Sequence, residues 1–325
     1  MQWSPPLPLH AAPGPGAPAA ASKAPRVVFV GHEATFTGAP ISLLRLLEWL
    51  RAQACFQISL VLLQGGPLLP QYKDVCPTTV VRAKPVRHRV VTRAMRRVAL
   101  PPPLRSLVYR RFAASSWGGL ARLLGEADVV YANTMGSAAA VMECRTHPSG
   151  AAFIAHLHEM GFNLDLAARL SRVPGRPALP TLLATLLETA DVTLVPSEAA
   201  KADLFATLGY KWPAPPSAPK VVRGCLHTSP AKEQPGTCTV KAELGIPPDA
   251  RVVIGSGTLG WTKGSDLFVQ LARNLVRTSQ CNLHFLWVGG WHEGEYSALH
   301  AQFQRDIVVA GLTGRFHLLP HVPSP

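Results

Sequence analysis

Short apolar runs recur along most of this chain, and each is followed by a helical pattern. RVVFVG (26–31) is the first, then QISLVLL (57–63), DVVYAN (128–133), AAFIAHLH (151–158) and DVTLVP (191–196). Runs of this length that are apolar almost throughout read as strands buried on both faces. After the first, HEATFTGAP (32–40) reads as a loop, and ISLLRLLEWLRAQ (41–53) spaces its apolar residues as an amphipathic helix. Strands alternating with helices predict an α/β fold on a parallel sheet.

The pattern then pauses and restarts. A polar, Pro-rich stretch from about Tyr210 to Gly236 reads as a linker between domains. Beyond it, RVVIGSG (251–257), SDLFVQLARNLVRT (265–278), LHFLWVGG (283–290), a helix near 295–310 and RFHLLP (315–320) make a βαβαβ series. That is half of a doubly wound domain, without closing helices before Pro325. The expected division is a Pro-, Ala- and Gly-rich leader over 1–25, a first domain over 26–222, a linker and entry over 223–250, and a partial second domain over 251–325. A chain of 325 residues is long enough for two domains. The two similar halves are its only internal symmetry.

Charge and cysteines exclude several classes. The segment Arg82–Arg111 holds ten Lys or Arg and no acid, and without it the formal net charge falls from +13 to +3. The basic character is therefore local, and suits an anionic membrane surface or an acidic ligand. It lacks interleaved aromatics over most of its length and any nucleic-acid-binding motif, so no nucleic acid is expected as partner. Val90–Leu100 and the residues from Leu104 onward have the pattern of short basic amphipathic helices. No apolar run reaches the roughly 18 residues that span a bilayer, and the N-terminus lacks the basic start and apolar core of a secretory signal. The six cysteines (55, 76, 144, 225, 238 and 281) are widely spaced and form no CxxC pair. They read as reduced thiols of a cytoplasmic protein rather than a disulfide or zinc framework.

Four stretches carry candidate chemistry. In GSGTLGWTKGSDLFVQLAR (255–273) a Gly-rich turn after a strand leads into a helix near Lys263 and Gly264. Free amides at a helix N-terminus with a lysine beside them suit a diphosphate; a plain strand–helix turn with a solvated lysine has the same pattern. Gly255, Gly257 and Gly260 also satisfy the dinucleotide G-x-G-x-x-G, but Trp261, Thr262 and Lys263 intervene before the helix. In GHEATFTGAP (31–40) Gly38 lies in the first βα loop, where open α/β sheets bind ligands, although glycine is common in any loop. In HLHEMGFN (156–163) His156 and His158 share one side of a strand, and His158 with Glu159 falls at its end. A substrate contact, a buried structural histidine and a metal pair are all open there, though no third ligand is evident. Ser197, in PSEAAKADL (196–204), reads best as a helix N-cap. Neither GxSxG nor HExxH occurs, which leaves hydrolase chemistry without its motifs.

Taken together, the loop HEATFTGAP, the strand end HLHE, the block VVIGSGTLGWTKGSDLFVQLAR with FLWVGG, and RFHLLPHVP resemble glycosyltransferase family 4 over about residues 26–325. The resemblance implies a GT-B fold, two Rossmann-like doubly wound domains facing a cleft, with the second incomplete. It implies a retaining, metal-independent transfer of sugar from a nucleotide-sugar donor to a cell-surface glycan or lipid-linked acceptor. The donor is then a substrate, and no cofactor is involved. Carried over, Lys263 holds the donor diphosphate with Gly264 assisting, Gly38 borders it from the other domain, and His158 sits by the transferred sugar as the catalytic candidate. Where many members carry an arginine shortly before the lysine, this chain has Thr258 and Thr262, and Thr258 joins the donor-binding set. Glu159 and Ser197 are possible supporting residues. The family's E-x7-E glutamates are absent, so a non-catalytic remnant that binds acceptor or membrane is the alternative expectation. The implied location is cytoplasmic, on the inner face of the membrane if residues 82–111 bind lipid.

Overall fold

β1 (Arg26–Gly31) lies at the centre of a parallel sheet, and its sequence shows why. Val28 and Val30 point into one apolar layer, and Val27 and Phe29 into another, so no position is free for a polar side chain. The same alternation recurs in β4 (Val129–Asn133), with Val130 and Ala132 on one side and Val129 and Tyr131 on the other. The computed structural model describes residues 24–81, 118–144, 150–160, 179–208, 218–223, 240–289 and 298–320. Most of the leader, the basic segment 82–111 and most of the stretch 210–236 lie outside the described residues.

The chain divides into two compact units, Met1–His227 and Thr228–Pro325. The first contains β1, β2 (Gln57–Leu62), β3 (Thr78–Val80), β4, β5 (Ala152–His156), β6 (Val192–Val195) and β7 (Lys220–Val221). They pair in parallel in the order β3-β2-β1-β4-β5-β6-β7. This is the doubly wound arrangement, in which the strand order reverses between β1 and β4. One apolar layer packs beneath α1 (Gly38–Gln53) and α2 (Leu69–Val75). The other packs beneath α3 (Gly118–Leu124), α4 (Met135–Cys144), α5 (Leu179–Thr189) and α6 (Glu198–Leu208). The alanine-rich α4 buries Ser137, Ala138, Ala139 and Ala140, and small side chains let it lie close to the sheet. Cys76 and Cys144 are buried within these layers as small apolar groups.

In the second unit, α7 (Val240–Glu243) precedes β8 (Arg251–Ser256), α8 (Ser265–Thr278), β9 (Leu283–Val288), α9 (Ala298–Val309) and β10 (Phe316–Leu319). The strands form a parallel sheet in the order β10-β9-β8. Its core is aromatic: Phe268 stands 5.3 Å from Trp287 and 5.6 Å from Phe316, measured between ring centres. Gly255 makes room for this cluster, since a Cβ there would lie 2.6 Å from the Trp287 ring. Ile254 on β8 and Leu267 on α8 are 64% and 62% exposed, so the apolar surface of this unit is incompletely covered by its described residues.

Each apolar run expected to be a strand contains one, and three differences have physical causes. The helix after β1 begins at Gly38, so TGAP is not wholly loop: Pro40 sits in the first turn, where its missing N–H is not needed. The strand expected over 151–158 leaves the ladder after His156, which places His158 and Glu159 beyond the sheet. The stretch from Tyr210 to Gly236 is not all linker, because Lys220 and Val221 pair with Leu194 and Val195 as an edge strand. α2 and β3 were not expected from the sequence; β3 is three residues long, too short for a periodic signal. No described helix is long and apolar enough to cross a membrane.

Candidate active site

Polar side chains gather where the carboxyl ends of β1, β4 and β5 meet, at the point where strand order reverses. Asn133 ends β4 and is 2% exposed. Its Nδ2 donates to the Ala39 carbonyl in the first turn of α1, at 3.0 Å. Its Oδ1 lies 2.8 Å from Nε2 of His158. The His158 ring rests on that of His156, 4.0 Å between centres. His156 Nδ1 is in turn 2.6 Å from the hydroxyl of Tyr131, while its buried Nε2 has no hydrogen-bond partner among the described residues. The sequence placed His156 and His158 side by side, and so they are, although His158 has left the strand.

Glu159 is committed to a helix end. Its two carboxylate oxygens accept the Met135 amide at 3.0 and 3.1 Å, and one also accepts the His158 amide at 3.1 Å. Met135 opens α4, so the carboxylate occupies the anion position that this helix N-terminus offers. Thr134, between Asn133 and Met135, has φ of 99°, a conformation in which a β-branched residue is a clear outlier. The strain is held by four contacts. Its N–H donates to the His156 carbonyl (2.8 Å), its carbonyl accepts the Ala138 N–H (3.0 Å), and its hydroxyl meets His32 Nδ1 (3.2 Å) and Ser137 Oγ (3.3 Å). His32 Nε2 lies 3.2 Å from Glu33, whose carboxylate accepts the Thr35 hydroxyl at 2.8 Å. Strained backbone of this kind clusters at functional positions.

Burial, and then the neighbouring His158, push the His156 imidazole down to about 4. Burial, followed by the nearby His32, also lowers His158. Burial raises Glu159 against the amides that favour its ionised form. Both imidazoles, their planes tilted by 38°, are therefore neutral near pH 7. Among the described residues no group of three His, Cys, Asp or Glu is placed to hold a metal ion.

Gly38 opens α1 and is exposed; a Cβ there would meet nothing within 4 Å. Any need for glycine at this position thus comes from what approaches it, not from the protein around it. Ser197 is the N-cap of α6, its Oγ accepting the Ala200 amide at 3.1 Å. That is the cap expected of it.

The second unit holds the other candidate residues. After β8 the chain turns through Gly257, Thr258 and Gly260 into a single 3-10 turn, Trp261–Lys263. Gly257 approaches the Lys263 stem so closely that a Cβ would lie 3.1 Å from its Cγ, and its carbonyl accepts the Trp287 indole N–H at 2.9 Å. Gly264 caps α8 with φ of 70°, which glycine adopts without strain. The buried Ser265 hydroxyl accepts the Gly260 amide at 2.9 Å and pins the turn to the helix. Lys263 and Thr258 are both exposed, with Lys263 one residue before the α8 cap. Thr258, Lys263 and Gly264 share one turn of the second unit; in the first, His158 and Glu159 lie together and Gly38 is one residue before Ala39, whose carbonyl Asn133 holds.

The sequence reading missed Asn133, Thr134, Tyr131 and His32. Asn133 had a signal, being a polar residue that closes an apolar run at the carboxyl end of a strand, where α/β sheets place ligand contacts.

No protein-family model matches this sequence, and no curated protein matches it. Solved structures do. The Anabaena protein HepE in complex with UDP and glucose is 15% identical, with a TM-score of 0.62 over 92% of this chain and 70% of that one. The α,α-trehalose-6-phosphate synthase of Burkholderia multivorans is 12% identical, with a TM-score of 0.59 over 93% and 73%. A glycosyltransferase of Rickettsia africae is 10% identical, with a TM-score of 0.53 over 93% and 69%. At these identities the likeness is one of architecture, and it is consistent across the three: this chain has the α/β fold of GT-B glycosyltransferases.

Proposed function

We propose that this protein is a glycosyltransferase of the family 4 kind, transferring a sugar from a nucleotide-sugar donor with retention and without a metal. The observation that carries the reading is the part-buried Asn133–His158–His156–Tyr131 array at the strand-order reversal of the first unit. A neutral, rigidly held imidazole at that position suits contact with an uncharged sugar. In the second unit the exposed Lys263 ammonium beside the α8 N-terminus suits a diphosphate, whose growing negative charge on departure is the main electrostatic demand of such a transfer. Solved structures of this fold support the donor class, since HepE was obtained with UDP-glucose. The proposed acceptor is a cell-surface glycan or a lipid-linked sugar. The ten cations of residues 82–111 are proposed to hold the protein to the anionic inner face of the membrane. Salt-sensitive co-sedimentation with anionic but not neutral vesicles is the expected result; equal binding to both removes the lipid role.

Titration calorimetry with UDP and UDP-glucose tests the main reading. Saturable binding is expected, and Lys263→Ala should weaken it by about 1.5–3 kcal/mol, the range for a charge-assisted hydrogen bond. No binding of any nucleotide sugar overturns the function. Binding that Lys263→Ala leaves unchanged overturns the role of that residue. Release of UDP only when an acceptor is added separates transfer from binding alone.

A further inference from the structure

Asn133 settles a question that the position of His158 alone leaves open: which ring nitrogen carries the proton. An asparagine amide has a donating nitrogen and an accepting oxygen, and which is which follows from its partners. One end of the Asn133 amide lies 3.0 Å from the carbonyl oxygen of Ala39, which can only accept. That end must be Nδ2, because the reverse assignment would face two acceptors at hydrogen-bonding distance. The other end, 2.8 Å from His158 Nε2, is then Oδ1. An amide oxygen can only accept, so Nε2 must donate. A neutral imidazole that donates from Nε2 has its lone pair on Nδ1. Among the described residues, Nδ1 of His158 has no hydrogen-bond partner.

We propose that Asn133 is a positioning residue that locks His158 in the Nε2–H tautomer, so that Nδ1 is presented as an acceptor for a hydroxyl group of the substrate. The ring has little freedom to do otherwise. Its face rests on His156, which Tyr131 holds, and its backbone amide is fixed by Glu159. A lone pair recognises an O–H and repels a phosphate or carbonyl oxygen. His158 is thereby assigned to the hydroxylated, uncharged part of a ligand and not to its anionic part. That the hydroxyl belongs to a sugar rests on the proposed function; the tautomer does not.

The test is nitrogen NMR of the full chain labelled with 15N-histidine, at neutral pH, with the His158 signals identified by their loss in His158→Gln. Wild type should show a protonated, pyrrole-type Nε2 and a bare, pyridine-type Nδ1. Asn133→Leu, which removes the acceptor for Nε2, should lose this single-tautomer signature. Saturating UDP-glucose should shift Nδ1 toward the hydrogen-bonded range. A protonated Nδ1 in the wild-type protein overturns the proposal even if the variants do not fold, and so does an Asn133→Leu variant that folds and keeps the wild-type tautomer. Calorimetry on the same samples separates the two readings. The expected tautomer without any nucleotide-sugar binding sinks the proposed function and leaves the lock standing, and binding with an unmoved Nδ1 sinks the hydroxyl assignment alone.

Discussion

The two units present their candidate residues by opposite means. At the strand ends of the first, the working parts are side chains, half-buried or buried and tied to one another: Asn133 to His158, Tyr131 to His156, Glu159 to the head of α4. In the turn after β8 of the second, the working parts are backbone and one exposed lysine, and what shapes them is the absence of side chains at Gly255, Gly257 and Gly264. The contrast fits the chemistry proposed for each. An uncharged, hydroxylated ligand needs directional partners whose protonation is fixed. A diphosphate needs amides and positive charge, which a bare turn and a helix N-terminus supply.

The largest effect that would sharpen this contrast is acid sensitivity in the first unit. His156 is held down to about 4, against 6.5 for an ordinary histidine. Between those values the unfolded chain binds a proton that the folded chain refuses. Stability present above pH 6.5 should therefore drain away as pH falls toward 4, by up to about 3 kcal/mol from this residue. Urea denaturation at pH 7 and pH 4.5 measures it. His156→Gln, which retains an acceptor for Tyr131, should flatten the pH dependence, and equal slopes in the two proteins would break the claim.

A methyl group should do in the second unit what acid does in the first. Gly255→Ala puts a Cβ 2.6 Å from a Trp287 ring that is 3% exposed and hydrogen-bonded to the turn. Overpacking of this kind costs about 1–3 kcal/mol. Because Trp287 also holds the Gly257 carbonyl, nucleotide affinity should fall together with stability. Loss of neither would show that the turn is not shaped by this packing.

The smallest effect is the most specific. Gly264→Ala forces an alanine to φ near 70° and should cost about 1–2 kcal/mol, while Gly264→Asn should cost less because asparagine tolerates that region. Thermal unfolding of the pair decides it, and equal losses would mean that conformation is not why glycine stands there.

The fold was largely legible in the sequence because parallel strands covered on both faces leave unbroken apolar runs. α8 was read residue for residue from its 3.6-residue spacing, between a Gly-rich turn and a polar end. β7 was hidden because two residues in a Pro-rich stretch carry no period, and only their pairing with Leu194 and Val195 reveals them. The site was half legible. His158 and Glu159 stood out as titratable residues at the end of an apolar run. Their partners Asn133 and Met135 are 25 and 24 positions away, and nothing local marks such a pairing. The role of Glu159 changed most on folding: a carboxylate beside a histidine suggested chemistry, and the structure spends it on the head of a helix.

Thr134 bears on anyone who sets out to make this protein tougher. A screen that rewards heat resistance alone will be drawn to position 134, where Thr134→Gly removes a backbone distortion of about 1–3 kcal/mol. The same exchange deletes the hydroxyl that meets His32 and Ser137 beneath the candidate site. If the proposed function holds, survivors of such a screen would gain endurance while losing the contacts that hold His32 and Ser137 in place. Selection on this scaffold should therefore reward heat resistance and ligand capture in the same round.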